Sequence, residues 1–185
     1  TMFEYLMPLL VQRLYPHSLL EMACREAVGA QMEYGRRRGV PWGISESAYS
    51  DLDANKTYQY QAFGVPGTGL KRGLEDDLVV APYATLLALL VEPAAAVRNL
   101  KRLARLGLRG AYGFFEAIDF GRQRLREGGD GVIVRAYMAH HQAMGFLAVD
   151  NLVNDFAMQR RFHADPRVRA TESLLYERIP VAPPL

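Results

Sequence analysis

Helix boundary signals constrain the fold of this chain more than any other feature of its sequence. Pro82 and Pro93 each stand where the first turn of a helix tolerates a proline, and Gly107 stands where a helix commonly ends. Apolar residues recur at helical spacing between these signals. The middle of the chain is therefore predicted to form two helices, over 81–90 and 93–106.

Helix signals continue on both sides of this region. Ser18 and Glu21 have the spacing of a capping box, which predicts a helix that runs to about Gly35 or Gly39. Further helices are expected over 2–14, over 132–153, and from Asp165-Pro166 to a point before Pro180. The pattern contains six or seven helices and no secure pair of strands, so the expected fold class is all-α.

The stretch 39–78 lacks helical or strand periodicity and is predicted to be a long loop. It carries several aromatic residues: Trp42, Tyr49, Tyr58, Tyr60 and Phe63. A loop of this length is uncommon in a compact domain unless it forms a lid or a binding surface. A second aromatic and acidic segment, 112–120, is predicted to be a loop or a strand. Functional residues are therefore expected between the helices.

Composition excludes several classes of function. The 185 residues suffice for one domain, and 22 basic against 20 acidic residues give no sign of a nucleic-acid-binding surface. The single cysteine, Cys24, rules out an internal disulfide and a thiolate zinc site, and its position in a helix predicts a core residue. The longest apolar run, 78–91, is too short for a membrane span. No metal or cofactor is expected.

Four carboxylates lie in unusual surroundings. Glu4 lies in the apolar run MFEYL, where burial would raise its pKa toward that of a general acid, although a solvent-facing helix position explains it equally well. Glu46 lies in WGISES, a setting suited to gripping sugar hydroxyls or to a simple surface turn. Glu116 and Asp119 lie in YGFFEAID. They suit a saccharide subsite, or else structural pairing with an arginine.

Carboxylates beside aromatic residues indicate carbohydrate chemistry. Glycosyl transfer requires two carboxyl groups that flank the glycosidic bond, and sugar rings stack on flat apolar faces. The adjacent His140 and His141 are expected to project from different faces of a helix, which argues against a shared metal. We expect one of them to bind sugar hydroxyls and the other to pack structurally.

Two charged clusters have ordinary explanations. Lys71 and Arg72, with Asp76 and Asp77, are expected to form an internal ion-pair network, although the two basic residues are also candidates for substrate binding. The run 36–38, three arginines, is expected to be the solvated end of a helix, where the helix dipole favours cations.

Eight segments together resemble the glycoamylase-like domain of cyclic β-1,2-glucan synthases. They are TMFEYLMP (1–8), GVPWGISESAY (39–49), YQYQAFGVPG (58–67), LKRGL (70–74), DDLVVAPY (76–83), YGFFEAID (112–119), YMAHHQ (137–142) and RFHADP (161–166). The resemblance implies an (α/α)6 toroid of which this chain is the C-terminal half. Residues 1–185 would then be a single partial domain of a longer multidomain protein.

The resemblance also implies an activity, namely ring closure of β-1,2-glucan by transglycosylation. Glu4 matches the glutamate of the family's Phe-Glu-Tyr-Leu motif and is expected to be the acid or acid/base residue, with Glu46 and Glu116 as alternative catalytic carboxylates. The expected substrate-binding residues are Trp42, Ser45, Tyr49, Tyr58, Tyr60, Lys71, Arg72, Tyr112, Asp119, Tyr137, His140, His141 and Gln142.

The resemblance implies partners and a location as well. The partners would be the β-1,2-glucan substrate, the N-terminal half of the same domain and neighbouring synthase domains, without nucleic acid or membrane insertion of this segment. The location would be the cytoplasmic side of the inner membrane, within a membrane-bound synthase. Alternatives are an inverting endo-β-1,2-glucan hydrolase and a non-catalytic glucan-binding or scaffold module.

Overall fold

Seven α-helices and seven short strands form the described part of the chain, which in this computed structural model comprises residues 1–68, 77–122, 124 and 131–178. The helices are α1 (Met2–Leu6), α2 (Leu19–Arg38), α3 (Pro82–Leu87), α4 (Pro93–Arg105), α5 (Ala139–Val153), α6 (Ala157–Phe162) and α7 (Pro166–Thr171). Shorter 3-10 helices are Met7–Leu10, Ala88–Leu90 and Glu172–Tyr176. The strands are β1 (Ser47–Leu52), β2 (Tyr58–Gln61), β3 (Val79–Val80), β4 (Arg109–Gly110), β5 (Gly113–Phe114), β6 (Ala117–Asp119) and β7 (Val132–Val134).

The ends of α2 confirm the helix predicted after Ser18. The Ser18 hydroxyl accepts a hydrogen bond from the Glu21 N–H at 3.1 Å, and the Glu21 carboxylate accepts one from the His17 N–H at 2.5 Å. Gly39 ends the helix with φ at +73°, the left-handed conformation that glycine adopts readily. The arginines 36–38 in the last turn are exposed, as expected.

The two central helices also confirm the sequence analysis. Helix α3 begins at Pro82 and continues as a 3-10 turn to Leu90, and α4 begins at Pro93. Gly107 follows α4 with φ at +88°. Proline is tolerated at a first helical position because that residue's N–H has no partner within the helix.

Two predicted helices are wrong in extent. The N-terminal helix was expected to reach residue 14, but α1 ends at Leu6 and a 3-10 turn around Pro8 replaces its continuation. The helix expected from residue 132 begins only at Ala139. The β-branched residues Val132–Val134 form strand β7 instead, because such side chains suit a sheet.

The expectation of no strand pairs is also wrong, so the architecture is helix-rich but not purely helical. Strands β1 and β2 form an antiparallel hairpin within the predicted loop 39–78, and β4 pairs with β5. Strand β6 lies between β3 and β7 in a three-stranded antiparallel sheet. The segment 112–120 therefore contains strands, one of the two predicted alternatives.

Two hydrophobic clusters form the core. The first joins α1, α2, α3, α4 and α5, and it includes Cys24, which is fully buried as predicted. The second lies around the three-stranded sheet and includes Phe63 and Leu103. The candidate functional residues lie where the β1–β2 hairpin, the sheet and the start of α5 meet. No helix of the described residues is long and apolar enough to cross a membrane.

The N-terminal 3-10 turn receives hydrogen bonds from the far end of the chain. Gln159 Nε2 donates to the Leu9 carbonyl at 2.7 Å, and Asn151 Nδ2 donates to the Leu10 carbonyl at 2.8 Å. The N–H of Arg13 donates to His163 Nε2 at 3.1 Å. These bonds supply partners that a short 3-10 turn cannot supply to its own backbone.

Candidate active site

The loop 42–46, which precedes β1, is held by buried amide side chains. Gln31 of α2 donates from Nε2 to the Ile44 carbonyl at 2.7 Å and accepts from the Ile44 N–H at 2.8 Å. Asn99 of α4 donates to the Trp42 carbonyl at 2.7 Å. Because these bonds lie in the protein interior, they fix the backbone of the loop that carries Ser45 and Glu46.

Gly43 allows this loop to pass close to α3. Its φ is +118°, and a Cβ atom there would lie 2.8 Å from Thr85 Oγ1 and 3.2 Å from the Ala81 carbonyl oxygen. Both the backbone conformation and the space require glycine.

Ser45 joins the N-terminal segment to α3. Its buried hydroxyl accepts a hydrogen bond from the Phe3 N–H at 3.0 Å and lies 2.9 Å from Tyr83 Oη. Tyr83 Oη also lies 2.9 Å from the Glu46 carbonyl oxygen, which can only accept. Tyr83 therefore donates to Glu46, and the Ser45 hydroxyl donates to Tyr83. The bonds of Ser45 are satisfied internally and its side chain has no exposed surface, an arrangement that suits a structural role. Its contact with substrate stays a prediction.

Tyr60, His140 and His141 converge on one point. Tyr60 Oη lies 3.5 Å from His140 Nε2 and 3.4 Å from His141 Nε2, and the two imidazole centroids are 4.0 Å apart. The expectation that the adjacent histidines project in different directions is therefore wrong. His140 is exposed and His141 is buried, an arrangement that suits sugar binding by the first and packing of the second. The pKa of His140 is lowered, mainly by burial and also by the neighbouring His141.

His141 is fixed on two sides by buried groups. Its ring stacks on Tyr83 with centroids 3.7 Å apart and an interplanar angle of 12°. Its Nδ1 lies 2.8 Å from Glu116 Oε1, which also accepts from the Ala48 N–H at 3.2 Å. Glu116 is 2% exposed, so its carboxylate is less accessible than those of Glu4 and Glu46. Its catalytic assignment stays a prediction.

Glu46 faces the same cluster. The pKa of Tyr60 lies far above its ordinary value. The main cause is burial; a hydrogen bond to the Glu46 carboxylate and the negative charges of Glu46 and Glu116 add to it. The Tyr60 hydroxyl therefore keeps its proton at any physiological pH. Glu46 is half-buried and Tyr60 is 38% exposed, so both side chains reach the surface, where a ligand can contact them.

Asp119 is a structural carboxylate, which corrects its predicted contact with substrate. It is fully buried, accepts from Arg124 Nε at 2.6 Å, and accepts from the Ser50 hydroxyl at 2.8 Å. Burial alone would raise its pKa, but the hydrogen bonds from Arg124, Ser50 and Gly121 outweigh burial and hold the pKa below its usual value. Arg124 also pairs with Asp77 at 3.2 Å. Lys71, Arg72 and Asp76 lie outside the described residues.

Glu4 is exposed over 43% of its side chain, and the Thr1 hydroxyl donates a hydrogen bond to its carboxylate at 3.1 Å. This exposure matches the solvent-facing alternative of the sequence analysis. The catalytic assignment of Glu4 stays a prediction.

The aromatic candidates of the loop 39–78 differ in accessibility. Trp42 is only 8% exposed and packs in the first core cluster, so little of its ring is accessible, and its contact with a sugar stays a prediction. Tyr49 and Tyr58 are half-buried against the second cluster, and Tyr49 meets the Phe63 ring edge-on at 5.6 Å. Tyr60 remains the accessible aromatic residue nearest to Glu46 among these candidates.

A second aromatic group lies at the β4–β5 hairpin. Tyr112 is 83% exposed at its tip, and its ring lies edge-on to Tyr137 with centroids 5.6 Å apart. Gln142 donates to the Phe114 carbonyl at 3.0 Å and so ties α5 to β5. Tyr112 and Tyr137 offer apolar surface to a ligand, whereas Gln142 has a structural bond already.

Tyr83 is a site residue that the sequence analysis missed. It lies in the apolar run 78–91 and was treated as core, which its 3% exposure confirms in part. A buried tyrosine requires a hydrogen-bond partner for its hydroxyl. That requirement could have indicated from the sequence that Tyr83 contacts polar residues of the site. Here the partners are Ser45 and Glu46.

Comparison with known proteins places these residues in a family. Residues 1–166 match the glycoamylase family model, described as "Putative glucoamylase". The chain is 47% identical over 180 residues to the cyclic β-(1,2)-glucan synthase NdvB of Rhizobium meliloti (strain 1021), a match that covers 97% of this chain. It spans only 6% of the length of that relative.

Two solved structures share the fold. The β-1,2-glucanase of Parabacteroides distasonis superposes with a TM-score of 0.70 at 17% identity, over 95% of this chain and 24% of that one. The endo-β-1,2-glucanase of Chitinophaga pinensis, in complex with sophorotriose and glucose, superposes with a TM-score of 0.68 at 16% identity, over 95% of this chain and 40% of that one.

Proposed function

This chain belongs to the glycoamylase family, and from that premise we propose that it is a carbohydrate-active domain that acts on β-1,2-glucan. The synthase and the two glucanases named above support this substrate class. Within the family, the specific proposal depends on which carboxylates are accessible in this chain.

The hydrogen bond between Phe3 and Ser45 carries the proposal. Glu4 directly follows the donor residue and Glu46 directly follows the acceptor residue, so this bond places the two glutamate-bearing segments side by side. Both side chains reach solvent, whereas Glu116 does not. We assign Glu4 and Glu46 as the two carboxyl groups that act at the glycosidic bond.

The surrounding side chains suit a saccharide. Tyr60 and His140 supply hydroxyl and imidazole groups beside Glu46, and Tyr112 and Tyr137 supply apolar faces at the edge of the cleft. Sugars bind through such a combination of hydrogen bonds and flat apolar contacts.

We propose transglycosylation as the reaction and an inverting hydrolysis as the alternative. In the former, one carboxylate displaces the leaving sugar while the other carboxyl group protonates its oxygen, and a sugar hydroxyl then takes the glycosyl group from the enzyme. Ring closure follows when that hydroxyl belongs to the same glucan. The two solved structures are named as glucanases, so we expect water to compete with the sugar hydroxyl as the acceptor of the glycosyl group.

The same proposal extends to the rest of the protein. The toroid would be completed by an N-terminal half, and neighbouring synthase domains would act with it on the cytoplasmic side of the inner membrane. The likeness to solved chains of which this one covers 24% or 40% supports a larger domain.

The test uses the complete polypeptide that contains residues 1–185, linear β-1,2-glucan as substrate and mass spectrometry of the products. Glu4→Gln and Glu46→Gln are each expected to lower turnover by about 10²–10⁴-fold while glucan binding persists, because an amide can neither donate a proton nor attack. Cyclic products in the unaltered protein indicate transfer, and shortened linear products indicate hydrolysis.

Glu33→Gln is the matched control. Glu33 lies on the exposed face of α2 and pairs with Arg36 at 2.7 Å, so its loss removes a surface ion pair only. We expect its turnover to equal that of the unaltered protein. Undiminished turnover in both Glu4→Gln and Glu46→Gln would reject this carboxylate pair. Glucan binding without turnover in the unaltered protein would instead indicate a glucan-binding or scaffold role.

A further inference from the structure

Glu116 is a buried carboxylate that the proposed chemistry does not use directly. Its Oε1 accepts hydrogen bonds from the Ala48 N–H and from His141. Its Oε2 is buried and has no hydrogen-bond partner among the described residues. Burying a half-satisfied carboxylate costs free energy that an apolar side chain of similar size would avoid. This cost points to a role beyond packing.

The bond to Glu116 selects the tautomer of His141. A carboxylate oxygen can only accept, so the proton between the two groups belongs to Nδ1. In the neutral imidazole, Nε2 is then an acceptor, and it faces Tyr60 Oη at 3.4 Å. The close stack on Tyr83 opposes rotation of the ring. Nε2 of His141 is therefore held as an acceptor for the hydrogen bond of the Tyr60 hydroxyl, where it competes with the Glu46 carboxylate.

Glu116 also supports the strand that carries Tyr60. Ala48, whose N–H donates to Glu116, lies directly opposite Tyr60 in the β1–β2 hairpin. The carboxylate thus holds Tyr60 by two routes, one through the hairpin backbone and one through the His141 ring. Tyr60 is partly exposed and lies beside Glu46, so its orientation matters for a ligand in the cleft.

Resting on the function proposed above, we propose that Glu116 is a positioning residue that acts through His141 to aim the Tyr60 hydroxyl at the saccharide beside Glu46. When the Tyr60 proton points to His141, the lone pairs of its oxygen face the cleft as acceptors for a sugar hydroxyl. His140, on the exposed side, binds the same region of the saccharide.

A double-mutant cycle between Glu116 and Tyr60 tests this role in the complete polypeptide. Glu116→Leu and Tyr60→Phe are each expected to lower kcat about 100-fold and to raise KM by no more than about tenfold, since misplaced contacts of this kind affect mainly the reaction step. The double variant is expected to be no slower than Tyr60→Phe alone, because both changes remove the same contact. Glu116→Gln keeps an amide oxygen for His141 and Ala48, and it is expected to stay within about tenfold of the unaltered protein.

Additive losses of kcat in the double variant would overturn the proposal, and so would an undiminished kcat in Glu116→Leu. Where Glu116→Leu unfolds below the assay temperature, His141→Phe replaces it in the same cycle, since it removes the imidazole through which Glu116 acts on Tyr60. Asp119→Asn is the matched control, since it alters a buried carboxylate of the same sheet that bonds neither histidine. Any loss it causes is expected to add to that of Tyr60→Phe.

The cycle separates failure of this proposal from failure of the proposed function. If Glu46→Gln retains full turnover, the assignment of the carboxylate pair fails, while the cycle still reports on Glu116. If the unaltered protein turns over no glucan, the cycle is measured on glucan binding by calorimetry. Each single change is then expected to weaken binding about five- to tenfold and the double change no further, and additivity again overturns the proposal.

Discussion

Glu116 and Asp119 lie three residues apart in and beside strand β6, and both are buried, yet their surroundings differ. Asp119 faces the Arg124 guanidinium and further donors, whereas Glu116 has an imidazole, one backbone N–H and an unpartnered oxygen. A fully paired buried carboxylate supports the fold, and a half-paired one beside a cleft supports function. The two residues therefore predict different mutational effects.

Asp119→Asn is expected to destabilise the chain by about 2–3 kcal/mol at neutral pH, because Arg124 loses its buried partner and keeps only the partly exposed Asp77. The pKa of Asp119 is lower in the folded chain than the ordinary value of 3.8. Its contribution to stability is therefore complete above pH 3.8 and is lost as the pH falls through the lower folded value. Thermal unfolding followed by circular dichroism from pH 7 to pH 2 measures the difference.

The difference between Asp119→Asn and the unaltered chain should accordingly shrink in acid. Asp51→Asn removes an exposed carboxylate of β1 and is expected to leave the unfolding temperature unchanged at every pH. A gap that stays constant below pH 3 would contradict the ionised pairing of Asp119.

Among the elements, the loop 42–46 has the strictest steric requirements. Gly43→Ala adds a Cβ atom 2.8 Å from Thr85 Oγ1 at a φ of +118°, so the loop must move away from α3 and take Glu46 with it. A displacement of about 1 Å at a reacting group costs roughly 100-fold in rate, and we expect turnover of β-1,2-glucan to fall by about that factor.

Gly39→Ala separates this effect from backbone strain. Gly39 also has a positive φ, +73°, but a Cβ atom there meets nothing within 4 Å. It is expected to cost about 1–2 kcal/mol of stability, measured by thermal unfolding, and to leave turnover unchanged. Equal losses of turnover in Gly43→Ala and Gly39→Ala would contradict this explanation. They would show that backbone strain at a positive φ lowers turnover, and not the contact between residue 43 and α3.

The sequence predicted elements where local signals agree. Ser18, Pro82, Pro93 and Gly107 act on their own backbone neighbours, so the ends of α2, α3 and α4 were predictable. Strand β7 was not, because the three residues 132–134 become a strand only by pairing with β6, more than ten residues away in sequence.

The same distinction applies to the candidate site. Its residue types and motifs, including Glu46, Tyr60 and the two histidines, are visible in the sequence. Which carboxylate is buried is decided by tertiary contacts, so the burial of Glu116 and the exposure of Glu4 were not predictable. The convergence of His140 and His141 depends likewise on where the hairpin places Tyr60.

At the scale of the whole molecule, α5 bears an apolar stripe on its outer face. Phe146 is 73% exposed and Val153 is 66% exposed, and each lies about one helical turn from Val149, which is 38% exposed. Exposed apolar surface of this kind promotes association. We expect the chain 1–185 to self-associate as its concentration rises. The double variant Phe146→Ser/Val153→Ser is expected to remain monomeric, and sedimentation velocity measures both.

Leu174→Ser provides the comparison. Leu174 is 74% exposed but lies on the C-terminal 3-10 helix, away from the stripe. Its replacement is expected to leave self-association as it is. An equal effect of Leu174→Ser would indicate general hydrophobic stickiness and not a defined face of α5.

The bonds from Gln159 and His163 to the N-terminal turn have a consequence for biosynthesis. Each joins residues 150 positions apart, so the turn at Leu9 and Arg13 lacks its partners until the ribosome has released almost the whole of this chain. At roughly 5–20 residues per second, translation leaves that turn waiting for about 10–30 seconds. The N-terminal segment therefore completes its hydrogen bonding only after residues 151–163 have been made, and the pace of translation between the two segments sets the length of that delay.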